Sequence, residues 1–317
     1  MPRRRAAGGA KPIATLELSC LGRPRLRLVE AGDAGVVELE APHRRVLILL
    51  AALATGPGRE RSRDQLVEAL WPEHDLDRAL ANLRPALSLA RRLIREACSV
   101  EADPLPRRGA FYRLSPEFAW RIDAETFREL VVATRPRHGA APGDAGPRDA
   151  AEPVGPEPPR QPEQGGDSGP GSERAEASRR QWLLRTRDRL EQAWKLYRGV
   201  FLSGCAVTPW VREERSRFET LWDEMLLRLG AVHVELGELD RALDSFRTIV
   251  AFDPTREDAH LSVMRIFSRQ GRPDLVRRQY DQMCRHLLDE LESRPLDSTA
   301  RRYYALLSSP EDAAAPW

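Results

Sequence analysis

Short alternations of apolar and polar positions open the chain. Residues 14–20 (ATLELSC), 24–29 (PRLRLV) and 36–39 (VVEL) each alternate over a few positions and are separated by glycine-containing turns, so three half-buried strands are expected. The period then lengthens. Residues 44–54 form a nearly continuous apolar run of helical length that stops at the turn 55–58. Ser62 stands before a second helical pattern, 63–71, with Leu66, Leu70 and Trp71 on one face, and is its expected N-cap. Pro72 and the acidic run 73–77 make a turn before a long amphipathic pattern from Arg78 to about Ala97. Two short strands, near 99–101 and 111–114, flank PLPRRGA, and 124–134 adds one more amphipathic helix. A sheet, three helices and a terminal β-hairpin, in that order, is the layout of a winged helix-turn-helix.

One stretch breaks both periods. Residues 135–178 hold 9 Pro and 8 Gly in 44 positions, with no aromatic residue and Val154 as the sole large aliphatic. Such a segment cannot bury enough apolar surface to offset the entropy of ordering, and a disordered linker is expected. Beyond it the pattern is helical and it repeats. Gly237 and Gly271, Ala242 and Val276, and Phe246 and Tyr280 each lie 34 residues apart. In each repeat the glycine opens a turn, and a small residue and an aromatic follow where two helices meet; Pro254 and Pro295 close the two repeats. That period and pattern form the tetratricopeptide (TPR) signature. The expected organisation is a disordered basic N-terminus (1–13), a winged helix (14–134), the linker (135–178), a helical repeat domain (179–309) and a tail (310–317). In fold class this is an α+β winged helix-turn-helix plus an all-α TPR-like helical repeat domain, joined by a disordered linker.

Composition narrows the function classes. A length of 317 residues suits two domains. Lys and Arg number 50 against 48 Asp and Glu, so the partner must be read from the distribution of charge rather than its sum. The cysteines Cys20, Cys98, Cys205 and Cys284 form no C-x-x-C pair, which argues against a disulfide scaffold or a zinc ribbon and fits a cytoplasmic protein. The longest apolar run, 46–54, is about half of what a membrane span needs, and no apolar stretch follows the basic start MPRRRAAGGAKP. No phosphate-binding G-x-x-x-x-G-K-[ST] and no Ser/His/Asp or Cys/His nucleophile setting is present, so no catalytic residue, no cofactor and no enzyme is expected. Cys284 and His286 stand two apart on a helical pattern and point to different faces, which speaks against a metal site. His43 reads as a helix-start residue, His233 and His260 as packing residues, and Trp210 and Trp222 as core. Tyr303 and Tyr304 read as a cap on the last helix, and Glu213 and Glu214 as a solvated helix face.

The third helix carries the chemistry. Between Asp77 and Glu96 lie Arg78, Arg84, Arg91, Arg92 and Arg95 without one acidic residue. At about 100° per residue, Leu76, Ala79, Leu80, Leu83, Leu87, Ala90 and Ile94 cluster as a core face. The five arginines, with Ala81 and Ser88, fall on an arc of about 140° opposite. A core-anchored helix with a cationic outer face suits major-groove docking, where arginine neutralises phosphates and grips guanine. The hairpin adds Arg107, Arg108, Tyr112 and Arg113, suited to a wing on a phosphate or in a minor groove. Solvated arginines on a surface helix are the plain alternative; their place on the third helix of a winged layout favours docking. Pro85 opposes it, because an interior proline removes a backbone hydrogen bond at a cost of about 3 kcal/mol. Three outcomes are open: a kinked helix, a helix starting near Asn82 that leaves Arg78 out, or a domain that has lost DNA docking.

These residues bring the chain close to a known family. SRDQLVEALWP (62–72), ANLRPALSLARRL (81–93) and FYRLSP (111–116), with YRGVFLSG (197–204) and YDQMCRHLLDELESRPLDSTARRYYALL (280–307), make it resemble the SARP activators (Streptomyces antibiotic regulatory proteins). These join an OmpR-like winged helix to a bacterial transcriptional activator domain (BTAD). The resemblance implies an activator that binds double-stranded promoter DNA and recruits RNA polymerase, with pairing as a homodimer on repeated sites. It places groove contacts on Arg84, Ser88, Arg91 and Arg92 and wing contacts on Arg107, Arg108 and Arg113. Pro85 and the long linker depart from the family pattern. A competing expectation is a TPR-type scaffold whose winged helix no longer reads DNA; residues 1–134 hold 22 basic against 18 acidic side chains, a mild excess for a DNA-binding domain.

Overall fold

In the computed structural model, residues 12–29, 35–39, 44–135 and 170–308 are described. The N-terminus, most of the linker (136–169), His43 and the tail from 309 lie outside them. By contacts the chain divides into two compact units, Met1–Glu129 with Lys195–Glu219, and Leu130–Trp194 with Thr220–Trp317.

The first unit opens with β1 (Thr15–Ser19), β2 (Arg25–Val29) and β3 (Val36–Leu39), the three strands that alternation predicts. They form an antiparallel meander, and β7 (Ala119–Ile122) joins β1 in parallel, giving the order β3-β2-β1-β7. Leu16, Leu18, Leu26, Trp120 and Ile122 are buried on this sheet. Helix α1 (Arg44–Thr55) buries every residue from Val46 to Ala54, as expected of a helix apolar all round. Helix α2 (Arg63–Leu70) starts at a capping box: the Gln65 N–H donates to Ser62 Oγ, and the Ser62 N–H donates to Gln65 Oε1. Helix α3 (Leu76–Cys98) is capped by Asp75, whose carboxylate accepts from the Arg78 N–H at 2.9 Å. A second sheet, in the order β4-β6-β5, combines β4 (Glu60–Ser62) with the hairpin β5 (Arg107–Arg108) and β6 (Phe111–Arg113). The strand expected near 99–101 is absent: Ser99 ends α3 in a left-handed conformation (φ 53°), and the hairpin begins eight residues later. Strands β4 and β7 are not expected from the sequence; they form by pairing with β6 and β1.

The first unit also takes in 195–219. The Leu202 N–H donates to the Cys20 carbonyl (2.8 Å), Ser203 N–H to Gly22 (2.8 Å) and Gly22 N–H to Val200 (3.1 Å), so this segment lies along the β1–β2 turn. Gly22 is required there: its φ is +105°, and a Cβ would come 3.2 Å from the Arg198 carbonyl oxygen. Phe201 is fully buried, stacked on Phe218 and edge-on to Trp210. At the start of helix α4 (Asp123–Val132), the Asp123 carboxylate accepts from the Cys20 N–H (2.6 Å) and the Leu21 N–H (3.1 Å) and so fixes the same turn. Burial pushes its pKa up to about 6 against the pull of three backbone N–H groups and Arg198. Glu214 is buried, not solvated as its pairing with Glu213 suggested. It sits 2.9 Å from Arg217 and 3.9 Å from Arg61, and Arg61 in turn lies over Trp210.

The second unit is helical. Helix α5 (Pro170–Leu196) begins inside the expected linker, so 170–178 are helical rather than disordered. It is followed by α6 (Pro209–Glu235), α7 (Leu239–Phe252), α8 (Glu257–Arg269), α9 (Pro273–Leu291) and α10 (Asp297–Ser308). Helix α8 packs against α7, α9 and α10. The period of 34 reappears in hydrogen bonds. The Glu238 and Gly237 N–H groups donate to the His233 and Val234 carbonyls, and 34 residues on, Arg272 and Gly271 donate to Phe267 and Ser268. Both glycines have positive φ, the C-terminal cap that opens each turn. Ala242, Val276 and Phe246 are buried, and Tyr280 stacks on Tyr303 at 3.8 Å. Buried His260 is flanked by the Pro254 carbonyl and Gln279, and buried His233 by Glu238. Trp222 packs edge-on against Trp194, while Tyr304 is exposed.

Candidate nucleic-acid interface

Helix α3 runs unbroken from Leu76 to Cys98 through Pro85, so it does not start at Asn82 and Arg78 stays on it. Ala79, Leu83, Leu87, Ala90 and Ile94 are buried as the helical spacing requires. Leu76, placed on that face by the same spacing, is 55% exposed, because it occupies the first helical position, ahead of the packed turns. The side turned away from the core presents Arg78, Ala81, Arg84, Pro85, Ser88 and Arg92, all exposed. Pro85 thus falls on the open side, where the carbonyl that loses its N–H partner is within reach of water.

The other two arginines of the arc turn sideways. Arg91 Nε donates to Asp103 Oδ1 (2.9 Å), its Nη2 donates to the Leu105 carbonyl (2.6 Å), and its guanidinium lies 6.0 Å from the Tyr112 ring centre. Arg95 Nε donates to the Ala102 carbonyl at 3.2 Å. Both therefore grip the loop 102–105 that leads into β5. Asp103, absent from the sequence reading, also accepts from the Leu105 N–H, and Leu105 is fully buried. Only the acidic residue in an otherwise basic hairpin hinted at this brace.

In the wing, the Tyr112 ring lies between the guanidinium of Arg91 on α3 and that of Arg107, its partner in the β5–β6 register, 5.9 Å from its centre. Arg107 Nε donates to the Gly109 carbonyl and shapes the turn, where Gly109 has φ +62°. Arg107 and Arg108 are exposed, as is Phe111 beside them. Arg113 is half-buried, with its Nε enclosed and unpartnered by any hydrogen bond. The wing thus offers two outward arginines, an aromatic residue at its tip and a tyrosine held between cations.

Among the described residues no helix is long and apolar enough to cross a membrane, and no cluster of His, Cys, Asp or Glu is arranged to hold a metal. The model of the bacterial transcriptional activator domain matches residues 171–307. No curated protein matches the chain. Among solved structures, Mycobacterium tuberculosis EmbR in complex with a low-affinity phosphopeptide is similar over 95% of this chain and 68% of that chain, with a TM-score of 0.64 at 16% identity. The likeness is one of fold: strands and short helices of a winged helix, then a helical domain. Residues 171–307 thus match the bacterial transcriptional activator domain, and the chain as a whole shares the fold of a protein in which a winged helix precedes a helical domain.

Proposed function

We propose that the protein activates transcription by binding double-stranded promoter DNA, with α3 in the major groove and the wing on the adjoining backbone. The observation that carries this reading is the exposed row of α3. Arg78, Arg84 and Arg92 alternate with Ala81, Pro85 and Ser88 on an unbroken, core-anchored helix. Small side chains between the arginines let the backbone approach a duplex closely, while the arginines reach phosphates and guanine edges. Arg107 and Arg108 serve the wing. Arg91, Arg95 and Tyr112 act by holding the wing beside the helix, and Arg113 supports it from within. The activator domain supplies the contacts to RNA polymerase and pairs two copies on DNA. Exposed Leu288, Leu291 and Leu296 near its last helices support a protein partner there. The protein performs no catalytic step of its own and acts in the cytoplasm, where its DNA is.

The test is a fluorescence-anisotropy titration of the full chain with a duplex selected from a random pool and with a scrambled control, over a range of salt. Preferential binding with a steep negative salt slope is expected. The double variant Arg84→Gln/Arg92→Gln should lower that slope by about 2 and lose the preference. Unchanged binding by the variant overturns the groove face. No binding by the natural chain at low salt favours the protein-interaction scaffold, a reading supported by the mild charge excess of residues 1–134.

A further inference from the structure

A cleft of about 820 Å³ lies beside the exposed row of α3, between it and the first turn of α1. Arg44, Arg45, Trp71, Asn82, Ser88 and Arg92 are among its lining residues, and no carboxylate lines it among the described residues. By contrast, a second cavity of the same unit, about 440 Å³, is lined by four carboxylates interleaved with arginines. Arg44 and Arg45 are exposed. The Arg45 guanidinium lies 5.5 Å over the Trp71 ring, which holds a long side chain at the rim at little entropic cost. Trp71 is buried, and its indole N–H has no hydrogen-bond partner. Arg44 is tied by its guanidinium to the Gly204 carbonyl, which fixes its stem without neutralising its charge.

We propose that this cleft receives a phosphate of the DNA backbone, held by Arg45 and Arg92 with Arg44 behind them. The proposal rests on the DNA-binding reading above. Its occupant is a duplex phosphate rather than a free anion, because Ser88 and Arg92 belong at once to the cleft and to the row that faces the groove. A duplex seated on α3 carries a phosphate strand along the flank of that helix, and this cleft is the cationic surface on its flank. Arginines make such contacts as charge-assisted, often bidentate hydrogen bonds. Contacts of this kind fix register and add affinity without reading sequence.

The test compares the full-length natural chain with Arg45→Gln, Arg45→Lys and Arg84→Gln. Each is titrated with the selected duplex and its scrambled control over a salt series, and separately with inorganic phosphate and with ATP by calorimetry. Circular dichroism checks folding. Arg45→Gln is expected to weaken both duplexes by the same several-fold factor and to lower the salt slope by about 1, with the preference between them intact. Arg45→Lys should restore the slope, whereas Arg84→Gln should reduce the preference itself. If Arg84→Gln weakens binding and Arg45→Gln leaves affinity and slope unchanged, the cleft assignment fails while the DNA-binding reading stands. If the natural chain binds neither duplex, both fall. Saturable binding of phosphate or ATP that Arg45→Gln abolishes, with DNA affinity untouched, also overturns the proposal in favour of a free phosphate ligand.

Discussion

In the second unit the ties that close the repeat turns are local. The His233–Glu238 and Phe267–Arg272 hydrogen bonds close turns within five residues and recur with the repeat. In the first unit the ties reach across the chain: Asp123 holds the β1–β2 turn 103 residues away, and Thr208 Oγ1 donates to the Ala69 carbonyl across 139 residues. Segment 195–219 falls within the match to the activator domain, yet its Phe201, Leu202 and Val211 are buried in the unit that carries the winged helix. A repeat stack propagates from neighbour to neighbour, whereas a unit closed by distant segments gains or loses its core as a whole. In the structure the unit that carries the winged helix thus takes in 195–219 as well.

The largest effect should come from removing what closes the first unit. A fragment ending at 134 lacks Phe201 and Phe218, which pack against one another and flank the core around Phe127. It should unfold at far lower urea than the full chain. Phe201→Ala in the full chain should cost about 3–5 kcal/mol, read from the urea transition. A fragment as stable as the full chain would erase the contrast between the units.

Next in size is a local clash in the second unit. Gly230 faces the Phe246 ring so closely that a Cβ would lie 2.5 Å from Cζ. Gly230→Ala should cost about 1–3 kcal/mol through overpacking and leave DNA affinity unaltered. A change in the duplex salt slope on this substitution would show that the two regions do not act independently.

The pH dependence sharpens the long-range clamp. Asp123 has a folded pKa of about 6 against an ordinary 3.8, so the folded state holds its proton more tightly than the unfolded one. The contribution is full below about pH 4 and is lost as pH rises through 6. The natural chain should therefore lose about 2–3 kcal/mol relative to Asp123→Asn between pH 4 and 7. Parallel stability curves for the two proteins would remove the clamp from the account.

The smallest stability effects belong to the interface itself. Arg92→Ala, on the exposed row, should change stability by no more than about 0.5 kcal/mol and act only on DNA binding. Arg91→Ala should loosen the wing by about 1–2 kcal/mol, because a partly buried charge-assisted brace to Asp103 and Leu105 is lost. Equal effects on urea midpoints would contradict the division of the arginines into outward and bracing sets.

Much of this architecture was legible in the chain. Alternation located β1 to β3, Ser62 announced its helix, the glycines 34 residues apart announced the turns of the repeats, and spacing alone put Ala79 to Ile94 of α3 in the core. Strands β4 and β7 were not; they are strands because β6 and β1 offer them partners. The arginine arc was visible as well, but a helical wheel records direction and not length. It could not show that Arg91 and Arg95 bend toward a loop 7 to 14 residues on.

The sequence by itself determined the local elements, the cationic side of α3 and the repeat of the helical region, because these follow from side-chain period, capping chemistry and turn residues within a few positions. Tertiary structure alone decided which arginines of α3 are exposed and which brace the wing, that Glu214 is buried beside Arg61, and that 195–219 packs into the first unit. Each of these depends on groups distant in sequence reaching one place, where burial and hydrogen bonding outweigh what each segment prefers alone.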